Sequence, residues 1–213
     1  MVHHHAEEPR HPHVCDLKTE YLVNPLGMDE PVPRFSYQLA GVLAQSARQL
    51  QVKNDAGDVV WDSGWVKDGS SQQIAYAGKA LKPFTRYHWK VRVKDDSGQA
   101  TAWSSEDAWF ETGFLDTAWK HSKWITYWQG PRYDLAPQLF TYKFTLPAKK
   151  IVKARYYGTA LGVYETLIND RNITDWVFTP GWTNYFHRVQ YQCFDVTRRL
   201  KKGDNELRIT LGG

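Results

Sequence analysis

With 213 residues, 42% hydrophobic and 15% aromatic, the chain has the apolar content for two small cores or one large one. Its formal charge of +4 comes from interspersed acids and bases, which excludes an extended nucleic-acid-binding surface; the one basic cluster, Arg198-Arg199 with Lys201-Lys202, reads as a solvated turn. No apolar run approaches the ~20 residues of a membrane span, so no membrane partner is expected either.

Residues 1–14 read as a disordered leader. They are polar, contain proline and lack an apolar h-region, so a cytoplasmic placement is expected over a secreted one. His3, His4, His5, His11 and His13 are an adventitious rather than a native metal set. A first edge strand follows from Cys15 to Val23, then a turn at Asn24 to Gly27. Pro31 and Pro33 keep the backbone extended until Phe35, Tyr37 and Leu39 alternate with Ser36 and Gln38. Leu50 and Val52 continue that period, and Asn54 to Asp58 closes a hairpin onto Val59 to Ser63. In the clearest strand Tyr87, Trp89, Val91 and Val93 share one face, while His88, Lys90, Arg92 and Lys94 share the other, half-solvated one. Before it, Leu81 to Tyr87 has the form of a tyrosine corner, in which the Tyr87 hydroxyl ties down the preceding loop. With a turn at Asp95 to Gly98 and a last strand from Trp109 to Thr112, residues 15–114 form one immunoglobulin-like or fibronectin III-like sandwich.

Residues 115–137 form a connector in which Trp119, Trp124, Tyr127 and Trp128 lack a clean period, as expected of residues packed at a domain junction, with a sugar-stacking platform as the alternative. Alternation resumes with Phe140, Tyr142, Phe144 and Leu146. Lys149 to Tyr157, Gly162 to Ile168, His187 to Val196 and Asn205 to Leu211 supply four more strands, with an Asn/Asp turn after Ile168 and another at Lys202 to Asn205. The apolar phase slips from Val189, Tyr191 and Cys193 to Phe194 and Val196, which predicts a β-bulge or strand break near Cys193. The fold class is all-β: two consecutive antiparallel β-sandwiches, the second, residues 138–213, being an incomplete jelly-roll type.

The run from Ala154 to Thr197, with ARYYG, GVYE, an Asn-Asp turn, PGWT, VQYQ and DVT in register, resembles the N-terminal β-sandwich of bacterial α-L-rhamnosidases of the glycoside hydrolase family 78 type. Glu20 to Leu39 resembles the opening of the same enzymes, and WDSGWV, RYHWKVRVKDDSGQATAWS and WFETG resemble their first immunoglobulin-like domain. The family usually has Asn-Gly at the position of Asn169-Asp170, and Thr at that of Cys193. The resemblance implies a non-catalytic accessory region of an inverting rhamnosidase that removes terminal α-L-rhamnose from glycosides. Its acid and base would lie on a downstream helical barrel, and the chain would be a piece of a longer product whose second sandwich is left with an open edge. Its partners would be that barrel and rhamnose-containing glycosides. The alternative is a free-standing carbohydrate-binding or adhesive β-sandwich protein.

Chemistry-bearing motifs are few. There is no glycine-rich phosphate loop, HExxH, CxxC or GxSxG. Glycoside hydrolysis needs two facing carboxyl groups, whereas Asp62, Asp95, Asp96 and Asp175 fall on turns and strand ends, as caps. Cys15 and Cys193 lie in different domains, so a disulfide framework is not expected. Cys193 and His187, six residues apart on one strand, would be ~20 Å apart. Asn172-Ile173-Thr174 matches a glycosylation sequon that carries no weight without secretion. What remains is binding. Trp176, Trp182 and Tyr185 offer aromatic faces to a pyranose, and Asn184 and Asp175 offer partners for its hydroxyls. The resemblance adds calcium as a possible cofactor of the complete second sandwich, although no calcium ligand set can be placed. Against a sugar role, a Trp182 between turn residues reads as a buried corner residue, and the ten tryptophans in general as core anchors.

Overall fold

The structure, a computed structural model, describes residues 11–41, 44–115, 137–159, 163–174 and 191–212. The chain divides into two compact units, Met1–Asp116 and Thr117–Gly213. No helix occurs among the described residues.

The first unit has seven strands: β1 (His13–Thr19), β2 (Arg34–Ala40), β3 (Gln45–Asn54), β4 (Val59–Asp62), β5 (Ile74–Ala75), β6 (Arg86–Asp95) and β7 (Ala108–Glu111). They form a three-stranded sheet, β1-β2-β5, and a four-stranded sheet, β4-β3-β6-β7, all pairs antiparallel. This is the arrangement of a fibronectin III-like sandwich. Alternation does the work the sequence assigns to it in β6, where Tyr87, Trp89, Val91 and Val93 are all buried. They pack with Phe35, Leu50, Val52 and Phe110 into one contiguous core. Phe35 sits among rings, 4.6 Å from Trp89 and 5.9 Å from Phe110 between centroids.

Three local devices close this sandwich. The Lys82 N–H donates to the Tyr87 hydroxyl at 2.9 Å, which is the expected tyrosine corner, and the Tyr87 ring stacks on Phe110. Asn54 folds the β3–β4 hairpin by accepting from the Asp58 N–H through its side chain at 2.9 Å, with Gly57 at φ +86°. In the opening stretch, Glu20 and Tyr21 form a two-residue turn with φ of 50° and 63°, and the Glu20 carboxylate accepts from the Arg34 N–H at 2.7 Å. Asn24 then accepts from the Trp109 N–H at 2.9 Å, tying that stretch to β7.

The second unit contains β8 (Gln138–Leu146), β9 (Arg155–Gly158), β10 (Val163–Ile168), β11 (Arg171–Asn172), β12 (Gln192–Asp195) and β13 (Gly203–Gly212). One sheet has the order β11-β10-β13-β8, and a second pairs β12 with β9. Three strand expectations are corrected here. Residues 149–154 are not strand, and pairing to β12 begins only at Arg155. No bulge interrupts that pairing: Gln192 to Asp195 meet Gly158 to Arg155 without a shift. The phase slip has another cause, which is burial on both faces. Cys193 lies opposite Tyr157, beside which Tyr191 packs edge-on, while Phe194 lies opposite Tyr156 and joins the core. The third correction is at β8, where Tyr142 shares the apolar phase yet is 64% exposed, stacked on Phe144. Edge position overrides periodicity there.

Ile168, Ile173, Phe194 and Val196 make the buried cluster of this unit among the described residues, with Tyr156, Leu200 and Leu207 packed against it. A polar hub adjoins it. Asn205, buried, donates to the carbonyls of Lys201 (2.8 Å) and Gly203 (2.9 Å), and its oxygen accepts from the Lys201 N–H and from Asn169 Nδ2, both at 2.9 Å. Asn169 in turn accepts from the Glu206 N–H at 2.9 Å. Asn169 and Asp170 are the central residues of the β10–β11 hairpin, both with positive φ (51° and 62°), the two-residue geometry that favours Asn-Gly.

Candidate functional site

The five residues offered as a sugar site, Asp175, Trp176, Trp182, Asn184 and Tyr185, lie outside the described residues, as do His187 and the four connector aromatics. The remaining candidates can be placed. Asp62 accepts from Gln49 Nε2 (2.8 Å), Gln51 Nε2 (3.2 Å) and the Gly64 N–H (2.9 Å); the Gln49 bond, followed by the backbone one, holds its carboxyl below the usual range. Asp95 caps its own turn, accepting from the Ser97 hydroxyl (2.6 Å) and the Ser97 and Gln99 N–H groups (both 2.9 Å), and is likewise held low. Both therefore stay ionised at neutral pH and serve as acceptors, the opposite of what a proton donor to a glycosidic oxygen requires. The two cysteines are free thiols. Partial burial, with Asp16 and Glu106 nearby, pushes the Cys15 thiol up and makes it a poor nucleophile. Among the described residues no group of three or more His, Cys, Asp or Glu side chains is placed to hold a metal ion.

The outer face of β6 is the feature that sequence reasoning missed. It is not simply solvated. Side chains two residues apart on a strand stand roughly 6.6 to 6.8 Å apart, room for one aromatic ring between each pair. Trp103 fills the first gap, with Lys90 Nζ and Arg92 Cζ each 4.5 Å from its ring centre. Trp65 fills the second, 4.8 Å from Arg92 Cζ and 4.4 Å from Lys94 Nζ. Further along, Arg86 lies 3.7 Å above Trp109 and pairs with Glu111 at 3.5 Å. Gln49 accepts two bonds from the Arg92 guanidinium, 2.9 and 2.6 Å, and passes its own amide to Asp62, so cation, amide and carboxylate form one chain.

This stack decides what the indoles can do. A pyranose needs an open aromatic face, and cations on the strand already occupy the faces of Trp65 and Trp103. Trp61 and Trp89 are also taken, by Phe35 and, for Trp61, by Tyr76. Every described tryptophan thus has a structural partner. The signal that would have revealed the stack was the coincidence of cations at 90, 92 and 94 with tryptophans in the two neighbouring loops.

Comparison with known proteins assigns what the geometry leaves open. Residues 14–116 match the model of the Rha78A-like N-terminal immunoglobulin domain, and residues 149–213 match that of the alpha-L-rhamnosidase N-terminal domain. The chain belongs to the α-L-rhamnosidase family. A relative named alpha-L-rhamnosidase from Streptomyces avermitilis is 42% identical, over 91% of this chain and 36% of its own length. Another from Formosa agariphila is 32% identical, over 89% of this chain and 23% of itself. Among solved structures, the alpha-L-rhamnosidase from Dictyoglumus thermophilum superposes with a TM-score of 0.79 at 36% identity, covering 94% of this chain and 25% of that one. The native enzyme from Aspergillus terreus gives 0.73 at 29%, covering 94% and 24%. The chain therefore spans roughly a quarter to a third of the length of these relatives, and the region it matches is their N-terminal one.

Proposed function

We propose that this chain is the non-catalytic, two-sandwich accessory region of an enzyme that hydrolyses terminal α-L-rhamnose from glycosides by inversion, the acid and base residing on a helical barrel outside this sequence. The observation that carries the reading is the pattern of coverage: both sandwiches match rhamnosidase N-terminal domains, while most of each relative's length has no counterpart in these 213 residues. The carboxylates support it. Asp62 and Asp95 are turn and strand-end acceptors whose carboxyls are held low, the opposite of the raised value that a general acid needs. In this role the sandwiches supply a rigid support for the barrel, and the partners are the barrel and the rhamnoside it cleaves.

The reading predicts that the purified chain releases no nitrophenol from a nitrophenyl α-L-rhamnoside, with or without calcium. Measurable release by protein free of host enzyme would overturn the assignment of catalysis elsewhere.

A further inference from the structure

Charge is distributed unevenly between the two units. Met1–Asp116 carries twelve Lys and Arg against sixteen Asp and Glu, a net −4, and Thr117–Gly213 carries fifteen against seven, a net +8, which together give the +4 of the chain. Much of the excess gathers at one end of the second unit, where three connections meet. Residues 147–154 lead from β8 to β9, residues 196–202 lead from β12 to β13, and the β10–β11 turn lies against them. Hydrogen bonds stitch the three together. The Val196 N–H donates to the Ala154 carbonyl (3.1 Å) and the Ala154 N–H to Thr197 Oγ1 (3.0 Å), while Asn169 Nδ2 donates to the Arg199 carbonyl (2.8 Å) and Arg199 Nε to the Asn172 carbonyl (3.1 Å).

On this platform Lys149, Lys150, Arg171, Arg198, Lys201 and Lys202 are all exposed. None of the six makes an ion pair with a described carboxylate. The nearby acids are otherwise engaged: Asp170 pairs with Arg208 at 3.1 Å, Asp195 with Arg155 at 3.0 Å, and Asp204 accepts from Thr145 at 2.9 Å. What the sequence offers as four charges beside one turn is therefore a wider basic surface assembled from three segments.

We propose that this end of the second unit is a docking surface for an acidic polysaccharide, a glycan bearing carboxylate or sulfate groups. The inference rests on the rhamnosidase reading for the nature of the chain being bound. Three features select this occupant. Lysine is depleted in protein–protein interface cores, which favour aromatic and apolar anchors, yet the four lysines come as two adjacent pairs, 149/150 and 201/202, with Val152 as the exposed large apolar neighbour among the described residues of these segments. Single-stranded nucleic acid requires aromatic platforms for its bases, and residues 147–154, 169–172 and 196–202 contain no aromatic residue. A linear polyanion with no base to stack needs neither; it needs unpaired cations spread along a surface, and such binding is driven by counterion release.

The test uses the 213-residue chain in affinity electrophoresis through gels containing polygalacturonate, dextran sulfate or neutral dextran, at rising salt. Retardation is expected in the two charged gels alone, and it should fade as salt is raised. The variant K149E/K150E/K201E/K202E should bind at least about tenfold more weakly. The control K18E/K67E/K79E/K82E changes net charge equally but on the first unit, and should bind within about twofold of the parent. Circular dichroism checks folding, and the corresponding Lys→Gln set serves if the glutamates unfold the second unit. Equal weakening by both variants, or no retardation in the charged gels, would overturn the proposal, as would tenfold tighter binding of a single-stranded oligonucleotide. Cleavage of a neutral nitrophenyl rhamnoside by the chain would instead overturn its reading as a non-catalytic accessory region and leave the binding result standing, so the two failures are distinguishable.

Discussion

The two units solve the same problem, closing a β-sandwich, with different materials. In the first, fifteen buried apolar residues form one core between a three- and a four-stranded sheet, and the outer face of its central strand is sealed by indoles stacked between cations. In the second, four described apolar residues form the buried cluster, and much of the specificity passes to a buried asparagine that uses both its donors and both its acceptor sites on neighbouring turns. Apolar burial is non-directional and tolerates imprecision, whereas a saturated polar hub fixes geometry but is costly when any partner is lost. The first unit should therefore fail by cavity and the second by unsatisfied hydrogen bonds.

The largest effect expected from this contrast is in the first unit. Phe35 is fully buried among Trp61, Trp89 and Phe110, and Trp61 and Phe110 are engaged with further rings, Tyr76 and Tyr87, so the space left by Phe35→Ala cannot collapse easily. A loss of about 3 to 5 kcal/mol is expected. Hydrogen exchange read peptide by peptide should show the protection of β2, β3 and β6 falling while β10 and β13 keep theirs. Protection falling equally in both units would mean that they unfold as one.

The second effect is smaller but more diagnostic. Asn205→Ala leaves the Lys201 N–H, the Asn169 amide and the carbonyls of Lys201 and Gly203 short of a partner, a penalty of about 1 to 3 kcal/mol. Asn205→Asp has nearly the same shape and keeps the acceptors, but turns a charged oxygen toward two carbonyls in a buried site. It should destabilise β10 and β13 more than alanine does. An aspartate tolerated better than alanine would show that shape, rather than hydrogen-bond polarity, holds these turns, and the contrast between the units would lose its basis.

These differences also explain what could be read from the chain and what could not. The strict two-residue period of Tyr87 to Lys94 fixes which face of β6 is buried, and Asn54 to Asp58 fixes a hairpin, because both signals are local. Residues 192–196 mislead because a strand covered on both faces buries consecutive side chains, which in sequence looks like a slipped register. Trp65 and Trp103 were legible as structural but not as partners of Lys90, Arg92 and Lys94, since the stack joins two loops to a strand across some forty positions. The basic surface of the second unit was invisible for the same reason: residues 149–150, 171 and 198–202 belong to three segments far apart in sequence, joined by the bonds of Ala154 to Val196 and Thr197 and of Asn169 and Asn172 to Arg199. The sugar-site reading, by contrast, rested on a run of residues from 175 to 185 that lies outside the described structure.

The smallest effect concerns the corner of the first sandwich, and it asks whether a polar bond matters where apolar packing dominates. Tyr87 is buried, its ring stacked 5.3 Å from Phe110, and its hydroxyl accepts from the Lys82 N–H. Tyr87→Phe keeps the ring and removes only the acceptor, so the core should be undisturbed and the loss should be about 0.5 to 1.5 kcal/mol, nearer the upper end if the freed N–H stays out of water. The loop has other anchors: Thr85 donates its N–H to Thr112 Oγ1 at 3.0 Å, and Thr112 Oγ1 donates to the Lys82 carbonyl at 2.6 Å. Exchange should therefore quicken at Lys82 itself and hardly at all at Thr85 or in β6. An unfolding midpoint left unmoved, with Lys82 as protected as before, would show that the corner is held by Thr112 and by ring stacking alone, making the first unit still more purely a product of apolar packing than the second.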